Sequence, residues 1–195
     1  MNTIFDFFKK HKVVILSLIF VLGITAFIEA QAGRLWLGPD GMFGWWDNNI
    51  WGSENSQRVA DVYSFSHIIH GMIFYGFLWW VGRKLPLQYR FLIALILEAS
   101  WEILENSPLI INRYREATIA QGYMGDSILN SLCDILMMSL GFLMARYSKI
   151  WVSVSLIITM ELGCLFWVRD NLTLNVIMLV YPSQSIKNWQ AADIN

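Results

Sequence analysis

Long apolar stretches alternate with short polar segments along the chain. A membrane-spanning helix needs about 20 mostly apolar residues. Five stretches approach that length, at residues 13–28, 65–81, 91–105, 126–145 and 150–168. A sixth, residues 172–181, is too short to span, so we expect an interfacial or re-entrant segment there. The pattern predicts one all-α domain over residues 1–195: a polytopic transmembrane helix bundle of about five spanning helices plus this short C-terminal apolar segment.

Composition supports a membrane protein over a soluble one. Of the 195 residues, 56% are hydrophobic and 15% are charged, against about 25% charged in an average soluble domain. The net charge of -1 argues against a basic surface for nucleic acid, so the expected partners are membrane lipids. Cys133 and Cys164 lie in apolar stretches and are interpreted as buried thiols, with a disulfide as the alternative.

The basic residues indicate how the helices are oriented. Cytoplasmic loops carry an excess of lysine and arginine, and eight such residues fall on one side if the N-terminus is cytoplasmic. The chain is then a multi-pass protein of a bacterial inner membrane, with residues 29–64 and 106–125 in the periplasm. The eight residues are Lys9, Lys10, Lys12, Arg83, Lys84, Arg90, Arg146 and Lys149.

The N-terminal region allows two interpretations. A lysine-rich start, an apolar stretch and the sequence Ala30-Gln31-Ala32 resemble a cleavable signal peptide. We favour an uncleaved first helix, and cleavage would leave the remaining topology unchanged.

The first external loop, residues 29–64, is rich in tryptophan and glycine. Tryptophan favours the membrane–water interface, so the loop is expected to lie on the lipid headgroups. The alternative is a lid over a site that faces lipid. Its tryptophans are Trp36, Trp45, Trp46 and Trp51.

Ionisable side chains inside the apolar helices are the strongest functional signal. Each such group costs roughly 2.5 to 3.5 kcal/mol at a helix centre and is a functional hypothesis by default. Spacings of three or four residues align them on single helix faces. In the predicted topology all of them lie toward the outer ends of the helices. They are His67 and His70, then Glu98, Glu102 and Glu105, then Asp126, Asn130 and Asp134.

This set has the chemistry of a metal-assisted site. His67, His70 and Asp134 are candidate ligands for a divalent metal such as Zn²⁺, which acidifies a bound water. A carboxylate can then act as the general base. The candidate catalytic carboxylates are Glu102, Glu105 and Asp126, and the candidate substrate-binding residues are Arg113, Arg115, Asn130 and Arg169.

Structural roles for the same residues remain open. The histidines and glutamates would also suit a buried hydrogen-bond network that holds the bundle together. Asp126 stands at a predicted helix start and would also suit an N-cap.

The expected function is a metal-dependent hydrolase or transferase that acts on a lipid or lipid-linked envelope substrate at the periplasmic face. The alternative is a non-enzymatic transporter, or a binding or assembly protein with a buried polar network. A transport path would have to continue to the cytoplasmic side, where helices two and four are apolar.

Several longer strings carry a family resemblance. They are SENSQ at 53–57, YSFSHIIHG at 63–71, ENSP at 105–108, NRYR at 112–115, GDSILNS at 125–131 and RDNLTLN at 169–175. Together they resemble an uncharacterised bacterial inner-membrane family, the domain of unknown function 2585, over about residues 53–191. The resemblance implies an inner-membrane protein and no particular activity. A weaker likeness to VanZ-like membrane proteins rests on the order of the histidine helix, the glutamate helix and the Gly125-Asp126 helix start.

Overall fold

The secondary structure is entirely helical in the computed structural model, which describes residues 2–47, 49, 50, 52, 54–118 and 122–192, without the side chains of residues 2–10. This confirms the all-α prediction for the described residues. Trp51 lies outside them. The helices are α1 (Asn2–Gln31), α2 (Ser64–Val81), α3 (Leu87–Glu105), α4 (Pro108–Ala117), α5 (Ile128–Tyr147), α6 (Ile150–Val168), α7 (Leu172–Val180) and α8 (Gln184–Ala191).

Three helices are long and apolar enough to cross a membrane. They are His11–Gln31 within α1, and α5 and α6 over their full lengths. The helices α2 and α3 have 18 and 19 residues, but α2 carries two histidines and α3 carries three glutamates. Length and composition therefore support a membrane protein without confirming the predicted count of five spans.

The closest helix pair is α2 with α5, and two glycines make it close. A Cβ atom on Gly71 would lie 1.9 Å from the Met138 carbonyl oxygen, and one on Gly141 would lie 2.0 Å from that of Ile68. The two backbones therefore touch, as small residues permit in membrane helix pairs. This contact fixes the register between the histidines of α2 and Asp134 of α5.

An apolar core fills the end of the bundle away from the histidines. Leu95, Ile135, Met138 and Phe142 are buried there, and Val21 of α1 completes the cluster. Helix α1 packs against α3 and α5. The buried members of this cluster are all apolar, although the Nε atom of Arg90, next to Phe91 in α3, is also buried.

Several local features differ from the sequence-based expectation. Residues 106–125, expected as a loop, contain α4, and the chain after α7 forms α8. The N-cap of α5 is Ser127, whose hydroxyl accepts from the Asn130 N–H, so the capping role considered for Asp126 was wrong. Asp126 lies one residue too early because Ser127 already has the extended backbone of a cap.

The segment at 172–181 is the short helix α7, which packs against α4. Its N-cap Asn171 accepts from the Leu174 N–H. Both cysteines are free thiols, and Cys164 is buried as predicted, whereas Cys133 is only half-buried.

The glycine contact gives the first testable prediction. We expect Gly141→Ala to lower the free energy of unfolding by about 1–3 kcal/mol, because the added methyl group overpacks the α2–α5 contact. Unfolding in detergent, followed by circular dichroism, measures the change. The matched control is Gly76→Ala in α2, where a Cβ would meet nothing within 4 Å. Equal stability of both variants and the native chain would contradict the close contact.

Candidate active site

A cavity of about 280 Å³ opens among the polar ends of the helices. It lies where α2 and α5 begin and α3 ends, and α4 and α7 complete its wall. Its polar lining comes from His67, His70, Glu98, Glu105, Asp126, Asn130, Asp134 and Asp170, with Tyr63, Tyr114 and Tyr123. These residues are far apart in the sequence. The sequence predicted only that they lie at the same ends of their helices, and the structure places them around one cavity.

Glu98 holds both histidines. Its Oε1 atom lies 2.6 Å from His67 Nδ1 and 3.2 Å from His70 Nδ1. Because an ionised carboxylate only accepts hydrogen bonds, each Nδ1 then carries the proton. The two imidazoles cross edge to face with centroids 5.3 Å apart. This arrangement leaves Nε2 as the unprotonated nitrogen of a neutral ring.

The opposite edge of His67 faces α5. His67 Nε2 lies 3.8 Å from Asp134 Oδ2, and Asp134 Oδ1 accepts a hydrogen bond from the Ser64 hydroxyl at 3.1 Å. Zn²⁺ bonds to nitrogen and oxygen are about 2.0–2.2 Å long, so two ligand atoms on one ion lie up to about 4 Å apart. The separation therefore suits two ligands of one metal ion.

A second group is purely carboxylate. Ligand atoms of Glu102, Glu105 and Asp126 lie within 4.8 Å of one another. Glu102 is completely buried, and neither of its oxygens has a hydrogen-bond partner among the described residues. Its Oε1 is 3.3 Å from His67 Nδ1, but that nitrogen is hydrogen-bonded to Glu98. The predicted trio of catalytic carboxylates thus forms a real cluster, in which neither oxygen of Glu102 has a hydrogen-bond partner in the described part of the chain. Arg34 lies beside Asp126 and donates through Nε to its backbone carbonyl at 3.1 Å.

Asn106 connects α3 to the loop before α5. Its amide nitrogen donates to Asp126 Oδ2 and to Ser131 Oγ, each at 3.0 Å. Its oxygen accepts the Asp126 backbone N–H at 2.6 Å. Tyr123 donates its hydroxyl to the other oxygen of Asp126 at 2.8 Å. These contacts hold the Asp126 side chain in one orientation beside the carboxylates of Glu102 and Glu105.

The predicted substrate-binding arginines lie outside the cavity lining. Arg113 donates through Nε to the Leu179 carbonyl at 2.9 Å, and Arg169 through Nη1 to that of Trp189 at 3.0 Å. Arg115 donates to the Tyr123 carbonyl. Arg113 thus joins α4 to α7, Arg115 joins α4 to the loop before α5, and Arg169 joins the end of α6 to α8. Asn130 does line the cavity, and its amide donates to the Arg58 carbonyl at 2.9 Å.

Two aspartates at the edge of the cavity have perturbed acidity. Burial raises the pKa of Asp61 to about 6, against the opposing effect of the Tyr63 and Ser56 N–H groups that it accepts. Burial likewise raises the pKa of Asp170 to about 6, against hydrogen bonds from Asn171 and Tyr63. Both carboxyls therefore change protonation just below neutral pH.

Sequence reasoning missed Asn106 and Asp61, which lie in the predicted loops 106–125 and 29–64. The spacing of Glu98, Glu102 and Glu105 aligned them on one helix face but did not indicate that Glu98 contacts both histidines. The three-residue spacing of Asp61 and Ser64 is the signal that could have identified Asp61, because its carboxylate accepts the Ser64 backbone N–H.

The first external loop contributes to the cavity through Asn55 and Ser56. None of its described tryptophans lines the cavity, so these rings do not form the lid considered above. Trp46 instead stacks on Trp167 of α6 with centroids 5.9 Å apart.

Taken together, the fold and site define a class: all-helical proteins with apolar helices of membrane length around a buried histidine–carboxylate cluster. The family model described as "Protein of unknown function (DUF2585)" matches residues 29–192. The chain belongs to this family, as the sequence resemblance predicted. The likeness to VanZ-like proteins stays a prediction.

Curated relatives carry the family name UPF0314. One from Sphingopyxis alaskensis is 50% identical over 171 residues, covering 88% of this chain and 91% of the relative. One from Sinorhizobium fredii is 47% identical over 171 residues, covering 88% and 87%. One from Agrobacterium fabrum is 54% identical over 138 residues, covering 71% and 70%. No solved structure matches the chain.

Asn106 provides the second prediction. We expect Asn106→Ala to lower the free energy of unfolding by about 1–3 kcal/mol, because it leaves the buried Asp126 N–H without its acceptor. Unfolding in detergent measures this effect. Asn112→Ala on the exposed face of α4 is the matched control and is expected to change little. An Asn106→Ala variant as stable as that control would contradict the bridging role.

Proposed function

We propose that the protein is a membrane-embedded, metal-dependent hydrolase or transferase acting on a lipid or lipid-linked envelope substrate from the periplasmic face. The observation that supports the proposal most strongly is that Glu98 is hydrogen-bonded to the Nδ1 atoms of His67 and His70 and so orients both rings. A histidine that binds a metal usually donates its other N–H to a carboxylate or carbonyl, which orients the ring and makes it more basic. His67 and His70 already have that partner.

The proposed metal ligands are His67, His70 and Asp134. Asp134 Oδ2 lies 3.8 Å from His67 Nε2, whereas the ligand atoms of His67 and His70 that lie within 4.8 Å of one another are grouped with those of Glu98. Binding one ion through both Nε2 atoms and Asp134 would therefore require His70 to adjust. Three protein ligands leave a position for water, whose pKa a Zn²⁺ ion lowers to about 7. Divalent charge would also compensate the unpartnered Glu102 carboxylate nearby.

The proposed chemistry is attack by water on an electrophilic phosphorus or carbonyl carbon. Glu105 lines the cavity and accepts the proton of the attacking water as general base. The bond to the leaving oxygen breaks as the new oxygen bond forms, and the proton is returned to that oxygen. In a transferase an acceptor hydroxyl replaces the water, with the same proton balance.

For the membrane arrangement we propose five spans, α1, α2, α3, α5 and α6, in a bacterial inner membrane with a cytoplasmic N-terminus. Helices α2 and α3 are long enough, at about 1.5 Å per residue, to cross most of the hydrocarbon layer. Their ionisable groups face the bundle interior rather than lipid, as such groups usually do in membranes. The cavity then opens toward the periplasm.

The alternative of a transporter has less support. A proton or ion path must cross the whole membrane, whereas Leu95, Ile135, Met138 and Phe142 close the inner half with apolar side chains. A binding or assembly protein remains the non-enzymatic rival, and metal dependence separates it from the enzyme.

The third prediction concerns metal binding. The purified full chain, loaded with Zn²⁺ and dialysed in detergent, is expected to retain about one ion per chain by elemental analysis. We expect His70→Gln to weaken binding at least tenfold, because it removes a ligand from a half-buried position where the change should be tolerated.

His11→Gln is the control, since His11 is the third histidine and lies in α1 away from the cluster. Circular dichroism verifies that each variant is folded. Absence of stoichiometric metal in the native chain, or unchanged binding in His70→Gln, would overturn the metal site. Lipid turnover that survives metal removal would overturn the catalytic role.

The fourth prediction concerns orientation. In a background with both native cysteines replaced by serine, a membrane-impermeant maleimide is expected to label Met42→Cys in intact spheroplasts. Lys84→Cys should be labelled only after the membrane is permeabilised. Both positions are exposed, so accessibility reports the side of the membrane. The reverse pattern would contradict the proposed orientation.

A further inference from the structure

The cavity wall carries more acidic than basic side chains. Five acids line it, and the described residues of the lining include neither lysine nor arginine. The basic groups in the wall are His67 and His70, and both are hydrogen-bonded to Glu98. The acids are Glu98, Glu105, Asp126, Asp134 and Asp170.

A buried carboxylate without a partner points to a missing cation. Both oxygens of Glu102 lack hydrogen-bond partners among the described residues, although the side chain is fully buried. The Glu102 carboxylate lies within 4.8 Å of ligand atoms of Glu105 and Asp126, which both line the cavity. Burying several charges of one sign is costly unless a cation or a proton neutralises them.

Aromatic rings surround the acidic wall. Trp101 lies in α3 between Glu98 and Glu105 and lines the cavity with three tyrosines. Tyr114 and Tyr123 meet edge to face with centroids 5.2 Å apart. Aromatic faces attract an ammonium group, by about 0.5–2 kcal/mol each. Carboxylates combined with tryptophan and tyrosine are the chemistry of a site for an organic cation.

The remaining wall is apolar. Leu172, Val176 and Leu179 of α7 line the cavity, together with Phe74 of α2. These side chains suit methylene groups next to a charged headgroup. The side chains of Arg113, Arg115 and Arg169, which would recognise an anion, are not part of the lining and donate to the backbone carbonyls of Leu179, Tyr123 and Trp189.

We propose that the cavity recognises the ammonium group of a lipid headgroup, with Trp101 and the tyrosines against the cation and Glu105 and Asp126 as its counter-charges. This inference names a substrate class for the proposed function, a lipid with a primary amine. Only the assumption that the ligand is a lipid rests on the proposed function. Of the substrate-binding residues predicted from the sequence, only Asn130 lines this cavity, and the three arginines do not.

The test compares two lipids whose headgroup nitrogen is charged in one and an uncharged amide in the other. Thermal unfolding of the full chain in detergent is titrated with a phosphatidylethanolamine and with the same lipid N-acetylated, which has no ammonium group. We expect the amine lipid to bind at least about tenfold more tightly, which corresponds to about 1.4 kcal/mol. Equal binding of the two lipids would overturn the proposal.

Variants of Trp101 test the aromatic contribution. Trp101→Leu is expected to reduce the preference for the amine lipid about three- to tenfold, whereas Trp101→Phe keeps an aromatic face and most of the preference. Trp45→Leu, in the exposed loop, is the matched control. An undiminished preference in Trp101→Leu would count against the proposal.

Two further arms separate the ligand source and the metal. Phosphoethanolamine, the free headgroup, is expected to bind much more weakly than the lipid, and equal affinity would overturn the lipid assignment. The titrations are run on both zinc-loaded and chelator-treated protein. If the amine preference persists while no metal binds, the metal-dependent function fails and the ammonium site stands. If metal binds and the preference is absent, the reverse holds.

Discussion

The carboxylate of Glu98 lies fully buried in the bundle, and its hydrogen-bond partners in the described structure are two imidazoles. An ionised group in such a position is tolerable only with close, well-oriented partners. That requirement ties α2 to α3 along the row of histidines. The glycine contact between α2 and α5 then sets Asp134 opposite the second nitrogen of His67. The Glu98–histidine contacts and the α2–α5 glycine contact therefore depend on each other. If either were loosened, charged groups would lose their partners in an apolar interior.

The bundle is divided along its length. Toward the histidine end, carboxylates, amides and tyrosines surround a cavity, and toward the other end the interior is apolar around Phe142. Such a division favours a pocket that opens to one side of a membrane over a conduit through it.

Short elements outside the long helices finish the site. Helix α4 contributes Tyr114, and α7 contributes Asn175, which accepts from the Tyr114 hydroxyl at 2.8 Å. Arginines hold these elements by donating to carbonyl groups. The cavity lining therefore contains five acids and two histidines but, among the described residues, neither arginine nor lysine. The proposed ammonium ligand rests on this imbalance.

Much of this was determined by the sequence alone. The long apolar stretches predicted an all-helical chain with helices of membrane length. Spacings of three or four residues placed His67 and His70 on one helix face, and Glu102 and Glu105 on another. Such spacing fixes which side chains share a face of one helix, but not the axial register between helices. Tertiary packing decided that register, because the glycine contact of α2 with α5 and the turn between α2 and α3 set the levels at which side chains meet. It therefore decided that Glu98 contacts both histidines, that Glu102 has no partner, and that the arginines turn to backbone carbonyls, since each depends on atoms distant in sequence.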